Sequence, residues 1–461
     1  MIKSMKLIRR YLLTFIILGF ITQGFSQDNK EVLKLSLTGA QTYALQNNRS
    51  VQSAKIDVMS ADKKIWETIA TGLPQLNLAA NYQHQFLIPE LSFGPFLDVN
   101  SLPNGTLTKN DILDAYKNSP PVPLGVRNNT TFDFTLSQLI FSGEYIVGLQ
   151  ATRIFKEISE KTLVKTEAQT KESVAGTYSL VLVLGENERV LNESLKAIDK
   201  TYNDLAKMNQ QGFNEETDVD QIKISMSNIK TLLTSLKSQK EISMKLLKYQ
   251  LGVNFNQELI LTDSLQGIIE QGNIQYLTSP AFNVENSVDY QMINTQEEVS
   301  NVLLKREKSK YLPTISAFYR RHEQTNQPSF NFAVKDLVGV ALSLPIFTSG
   351  QRNSKLSQAK FDLEKSRLNK DNAGQGLIME YESALSSYQT AFSNFTTNRE
   401  SMILSKKVYD KTIIKYHEGV SSSFELTQNQ NQFLSAESNY YNSVLSLLNA
   451  KAKLDRILGI N

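Results

Sequence analysis

Phe141-Ser142-Gly143 is answered by Thr348-Ser349-Gly350, Gln211-Gly212-Phe213 by Glu418-Gly419-Val420, and Leu251-Gly252 by Leu458-Gly459. The glycines of each pair lie 207 residues apart, so about 110 residues are duplicated without a net gap. Upstream, Leu73-Pro74 answers Leu312-Pro313 at an offset of 239, and Asn47 and Gln52 answer Asn286 and Gln291 at that same offset. The excess of 32 residues falls between two strand-like runs of the first half, inside a segment that holds six of the 11 prolines. Each half therefore reads as helix, strand, loop, strand, long helix, turn and return helix, with the longer strand-connecting loop in the first half.

Proline also marks where helix is permitted. Residues 124–279 and 346–461 contain none, and a proline inside a helix costs about 3 kcal/mol. In those stretches apolar residues recur at alternating steps of three and four. Leu191, Leu195, Ile198, Tyr202 and Leu205 do so, as do Val219, Ile222, Met226, Ile229, Leu233 and Leu236. Tyr388, Phe392 and Phe395, and Tyr440, Val444 and Leu447, repeat the pattern in the second half, which is the spacing of long helices packed as coiled coil. From Gly143 to Gln211 and from Gly350 to Glu418 there are 69 residues each, about 100 Å of helix at 1.5 Å per residue.

Between the helical stretches, alternation has period two. Leu76, Leu78, Ala80 and Tyr82 alternate with Asn77, Ala79, Asn81 and Gln83; Phe132, Phe134 and Leu136 alternate with Asp133, Thr135 and Ser137. Val338, Val340, Leu342 and Leu344 interleave with Gly339, Ala341 and Ser343, and Thr314 to Arg321 is a fourth, more aromatic run. These are strands with one apolar and one polar or small face. About ten residues is the length with which a tilted strand crosses a bilayer. Four strands cannot close, since the smallest membrane barrels have about eight, so closure needs several copies of the chain.

Composition removes other classes. With no cysteine among 461 residues there is no disulfide scaffold, thiol nucleophile, cysteine zinc site or lipidated cysteine. Lys3, Lys6, Arg9 and Arg10, the apolar run Tyr11 to Ile21 and the small Gly24 and Ser26 form a secretory signal, residues 1–26, cleaved after Ser26. Its removal turns 49 basic against 46 acidic residues into 45 against 46, so the formal charge of +3 becomes −1 and the apparent surplus is an export address. That balance argues against a nucleic-acid partner, because phosphate affinity needs a concentrated basic surplus. No Ser-His-Asp order, phosphate loop or paired carboxylates stand out, so the chain reads as no enzyme and without cofactor.

Leu37-Thr38-Gly39-Ala40 leading to Ala44-Leu45-Gln46-Asn47-Asn48, the two Leu-Pro strand starts, the two Ser-Gly helix starts, and Tyr416-His417-Glu418-Gly419-Val420-Ser421-Ser422 together resemble the TolC family of outer-membrane efflux proteins over about 35–461. The resemblance implies a mainly α fold with a membrane β-barrel part. Three copies would give four strands each to one 12-stranded barrel, and their helices to a periplasmic tunnel girdled by the segments near the chain ends and about 253–285. It implies a passive exit duct in the outer membrane, serving a tripartite efflux pump or a type I secretion system, with a homotrimer, a periplasmic adaptor, an inner-membrane pump and outer-membrane lipid as partners. The organisation expected is a first repeat 27–252 (strands about 74–86 and 130–141, long helix 143–211, return helix 217–251) and a linker 253–284. The second repeat is 285–461 (strands about 313–322 and 332–347, long helix 350–418, return helix 422–458).

Gly212 and Gly419 belong at the helix-to-helix turns, where a positive φ ends one helix before the chain reverses. The resemblance implies adaptor docking for these tips, Gly212, Phe213, Asn214, Gly419, Val420 and Ser421. It also implies a periplasmic gate at the residues six and nine positions after the second tip glycine, Glu425 and Gln428, of which one is acidic. Asp218 and Asp220 occupy the corresponding turn of the first half. Ser422 and Glu425 equally spell an S-x-x-E capping box, and acids favour helix starts in any case. His84 and His322, near the outer ends of paired strands, leave a shared metal conceivable, and Trp66 is expected to pack. A periplasmic structural or adhesive coiled coil is the alternative; it accounts for the heptads and leaves the four alternating strands idle.

Overall fold

The structure, a computed structural model, describes residues 32–91, 108, 110, 114, 117, 122–271, 282–328 and 331–459. The expected signal, most of the proline-rich loop and residues 272–281 of the linker lie outside them.

In chain order the elements are β1 (Leu33–Leu35), α1 (Leu37–Asn47), α2 (Arg49–Thr71), β2 (Gln75–His84), β3 (Glu90–Leu91), β4 (Val122–Pro123), β5 (Asn128–Ser142), α3 (Gly143–Gln210) and α4 (Glu216–Leu251). Then follow β6 (Leu259–Leu261), α5 (Leu265–Gln271), a 3-10 turn (Val284–Asn286), α6 (Val288–Ser309), β7 (Thr314–Gln324), β8 (Asp336–Ser343), α7 (Gln351–His417) and α8 (Ser423–Leu458). The fourth strand is shorter than the 332–347 expected. Pro345 has no N–H to give a ladder and biases Leu344 away from continuing it, while at the other end the last paired residues are Arg321 and Asp336.

The compact units do not follow the repeat. One comprises residues up to Ser53, Lys165–Asn283 and Ile378–Asn461; the other comprises Ala54–Val164 and Val284–Leu377. Each takes material from both halves, because each apolar cluster of the long helices joins residues from both repeats.

The second unit holds a four-stranded antiparallel meander in the order β2, β5, β7, β8. Its register sorts side chains by chemistry. Leu78 faces Phe134, Phe134 faces Arg321, and Ile315 faces Leu342, so Leu76, Leu78, Tyr82, Phe132, Phe134, Leu136, Tyr319, Val338, Val340 and Leu342 share one face. Asn77 opposes Thr135, Ala79 opposes Asp133, Asn81 opposes Thr131 and Asp133 opposes His322, so these residues share the other, while Arg321, Glu323 and Asp336 sit on the apolar side where β7 ends and β8 begins. The apolar face is uncovered within the chain: Leu76, Val338 and Val340 are 70%, 76% and 71% exposed. A bulge at Ile140 shifts the β5–β7 register between Leu139 and Phe141, bending the strand just before it becomes α3. Gly339 answers a close approach, since a Cβ there would stand 2.6 Å from the Phe318 ring on the facing strand. Below the sheet, Leu304 of α6 packs with Ala359 and Leu363 of α7, and Lys370 reaches Glu297 at 2.7 Å.

The first unit is helical. One cluster joins Val174, Tyr178 and Val183 of α3, Leu247 and Leu251 of α4, Tyr388 and Phe395 of α7 and Tyr441, Val444 and Leu454 of α8. A second joins Leu191, Ile198, Leu205, Ile222, Ile229, Leu233, Tyr409, Leu426 and Phe433. β1 and β6 pair in parallel beside the first cluster. The Tyr178 hydroxyl donates to Leu35 O at 3.0 Å, and Asp263 accepts from Leu37 N at 2.6 Å, so one buried phenol and one carboxylate fasten both short strands to α3. Burial pushes the Tyr178 phenol up to about 12.

The repeated Ser-Gly pairs differ in conformation despite their sequence likeness. Ser349 and Gly350 take φ of 50° and 80°, whereas Ser142 and Gly143 have no positive φ. Gly143 is small for another reason: a Cβ there would meet Leu312 Cδ1 at 2.7 Å and Ser309 O at 3.1 Å.

Candidate functional site

The tips are built by the same device twice. α3 ends where Gly212, at φ 78°, gives its N–H to Asn209 O at 2.9 Å while Phe213 N reaches back to Met208 O at 2.9 Å. α7 ends where Gly419, at φ 73°, donates to Tyr416 O at 3.1 Å and Val420 N to Lys415 O at 2.9 Å. Each is the pair of hydrogen bonds that closes a helix with a left-handed residue and satisfies carbonyls of its last turn. Asn209 Nδ2 donates to Asn214 O at 2.7 Å and fixes the first turn. With the backbone satisfied internally, the turns present side chains: Phe213 is 73% exposed and Val420 75%.

The return helices start beside them. The Ser422 hydroxyl accepts from Glu425 N at 3.2 Å and so caps α8. The Glu425 carboxylate takes the Ser421 hydroxyl at 2.7 Å, so it fastens the tip residue before the cap and leaves the cap's own N–H aside. Ser423, buried, donates to Asp218 in the first turn of α4, which links the start of one return helix to the start of the other. Tyr416 lies nearby, its phenol pushed up to about 12 by burial and further by the charge of Asp218. Glu425, Gln428 and Asp220 are exposed and Asp218 is half-buried. The structure thus gathers the four carboxylate and amide groups at the starts of the two return helices, with separate partners for Asp218 and Glu425. Sequence reasoning missed Ser423, whose link to Asp218 depends on a neighbour 205 residues away. It also missed Phe424, 68% exposed in the first turn of α8.

On the sheet, His322 Nδ1 meets Asp133 at 2.7 Å and His84 Nδ1 meets Asn128 at 2.6 Å. The two histidines therefore have separate partners at different registers, and the shared metal site is set aside; among the described residues no group of three or more His, Cys, Asp or Glu side chains could hold a metal ion. Trp66 is also a correction, being 61% exposed on α2 rather than packed within the chain. Among the described residues no helix is long and apolar enough to cross a membrane.

Residues 285–460 match the family model for outer membrane efflux protein. No curated protein matches at the sequence level. The fold matches the CusC channel with a TM-score of 0.71 at 15% identity, covering 92% of both chains; the CusC structures concern conformational changes accompanying folding and transmembrane channel formation. It matches the CmeC outer membrane channel of Campylobacter jejuni with a TM-score of 0.69 at 18% identity, covering 92% of this chain and 85% of that one. For the open state of the MtrE outer membrane channel of Neisseria gonorrhoeae the TM-score is 0.69 at 16% identity, with 92% and 88% covered. The chain has the TolC-like fold of the outer-membrane channels. Its second repeat matches the outer membrane efflux protein model, and the solved structures it is similar to are of channels.

Proposed function

We propose that this chain is one subunit of a trimeric outer-membrane channel-tunnel, a passive exit duct for a tripartite efflux pump or a type I secretion system. The observation that carries the reading is the sheet. Its strands are of membrane-crossing length, its apolar face is uncovered, and β2 and β8 are edges that no other strand of the sheet pairs. Unpaired backbone groups in lipid cost several kcal/mol each, so a spanning sheet must close; three copies joined β8 to β2 make 12 strands. Asn77, Asn81, Gln83 and Asp133 then line the lumen.

The helical unit lies in the periplasm, and a periplasmic adaptor docks on the tips through Gly212, Phe213, Asn214, Gly419, Val420 and Ser421. Exposed Phe213 and Val420 at the ends of rigidly closed turns support that assignment. Three copies of Glu425, with Asp218 and Asp220, form a cation-attracting ring at the entrance, with Gln428 as its uncharged member. The coiled-coil alternative leaves the apolar face and both sheet edges without a use.

The test is to fractionate cells expressing the full chain and run unheated and heated outer-membrane extracts by electrophoresis, then reconstitute the extract in planar bilayers. A heat-modifiable trimer that conducts supports the duct. Recovery of the protein in the soluble fraction without detergent rejects it.

A further inference from the structure

Between the two apolar clusters of the helical unit, all four long helices change character at the same level. On α8 the tip cluster ends at Phe433 and the other begins at Tyr441, with Glu437 midway. On α3 the interval runs from Val183 to Leu191 and contains Gly185, Glu186, Glu188 and Arg189. On α7 it runs from Phe395 to Met402 and contains Arg399, with Lys406 one turn further on. On α4 it runs from Leu233 to Leu247 and contains Lys240.

Glu437 is the misfit in this layer. It is 2% exposed, and among the described residues its Oε2 has no hydrogen-bond partner. Of the layer's cations, Arg189 and Lys406, which reach it by charge, and Lys240 are each paired with another acid. Arg189 is held by Glu186 at 2.9 Å and Glu193 at 2.7 Å, Lys406 by Asp410 at 2.7 Å, and Lys240 by Glu188 at 2.8 Å. Arg399 faces Tyr440, and Tyr441 lies one turn along α8. Thr427 Oγ1, on the same side of α8 toward the tip, is also buried without a partner among the described residues. An ionised carboxylate is strongly disfavoured where burial leaves it uncompensated, so such a group stays protonated or moves to water. Gly185, a poorer helix former than alanine, lies in α3 within the same layer.

We propose that this layer is a proton-controlled hinge, holding the tip half of the helical unit packed while the Glu437 carboxyl is protonated and releasing it when the carboxyl ionises. Burial pushes that carboxyl up to about 7, against which Arg189 and Lys406 pull down and Glu193 adds. The packed state therefore binds the proton more tightly than the released one. Packing is undiminished in acid, weakens as pH rises through about 5 to 7, and levels off above that. The equilibrium between the two states moves on the order of a hundredfold over the range. In a duct, release at the tip is opening; that consequence rests on the channel reading, whereas the hinge itself does not.

The chain has no cysteine, so Gln211→Cys with Glu418→Cys introduces the only two thiols, one at each exposed tip. Spin labels on these sites of the full chain in detergent report the tip-to-tip distance. The distance should lengthen between pH 5.5 and pH 8. It should stay at its pH 5.5 value in Glu437→Gln and Glu437→Leu, while Glu437→Asp keeps a pH response. A distance that does not change with pH, or that changes equally in Glu437→Gln, overturns the hinge, as does a Glu437→Gln tip already apart at pH 5.5. In planar bilayers the unlabelled chain should conduct more at pH 8 than at pH 5.5, with the difference lost in Glu437→Gln. Failure to conduct under any condition speaks against the duct, and the spin-label distances then decide the hinge on their own.

Discussion

Ser422 and Glu425 carry two meanings that chemistry can separate. The cap is the Ser422 hydroxyl on Glu425 N, and it survives replacement of the glutamate's charge. Ser422→Ala should lower stability by about 1 kcal/mol and leave cation block in bilayers as it was. Glu425→Gln should do the reverse, changing cation block and ion conductance while the melting temperature barely moves. If Glu425→Gln and a double Glu425→Ala, Asp218→Ala variant both conduct and block like the parent, Glu425 is only a tether for Ser421. The glycines divide in the same manner. Gly419 has a positive φ, and a Cβ added to it would meet no atom within 4 Å, whereas a Cβ on Gly252 would stand 2.2 Å from Asn47 O. Gly419→Ala should cost about 1 kcal/mol, and Gly252→Ala several times more because backbone must shift; thermal unfolding of the two variants side by side decides it.

Elements in this chain are fixed by fasteners at their ends. The segment β1 has only three residues and survives because Tyr178 and Asp263 hold it to β6 and α3. Tyr178→Phe removes no apolar volume but takes one donor from Leu35 O and one from Asp263, which keep Thr262 N and Leu37 N as partners, so it should cost about 1 kcal/mol. Hydrogen exchange should show the loss first as faster exchange at Leu33, Leu35 and Leu261; protection equal to the parent's would mean that the parallel pair holds itself. The long helices need no such fastener, since their stripes supply two clusters of buried residues along α3, α4, α7 and α8.

Across the assembled protein the two sheet faces make opposite demands on the same substitution. Val340→Arg places a charge on the apolar face, where mid-membrane arginine costs about 2–4 kcal/mol. It should reduce the trimer recovered in outer-membrane fractions. Asn81→Arg, on the polar face, should assemble normally and alter conductance instead. Equal recovery of the two variants would contradict a lipid-facing role for the apolar side. The period-two alternation made this division legible from sequence, and the positions without proline made the long helices legible. The end of β8 was less so, because alternation continues to Leu344 and only pairing shows where the ladder stops.

The duplication, the two tip glycines, the amphipathic strands and the heptad stripes were all settled by the order of residues alone, because each follows from local periodicity or from a conformation that only a few residue types adopt. Tertiary structure decided what lies beyond local pattern. It paired Asp218 with Ser423, gave like Ser-Gly pairs unlike conformations, drew compact units across the repeat boundary and buried Glu437 between two apolar clusters. Each of these depends on which distant residue stands opposite, and a carboxylate on a heptad stripe looks the same in sequence whether water or three helices surround it.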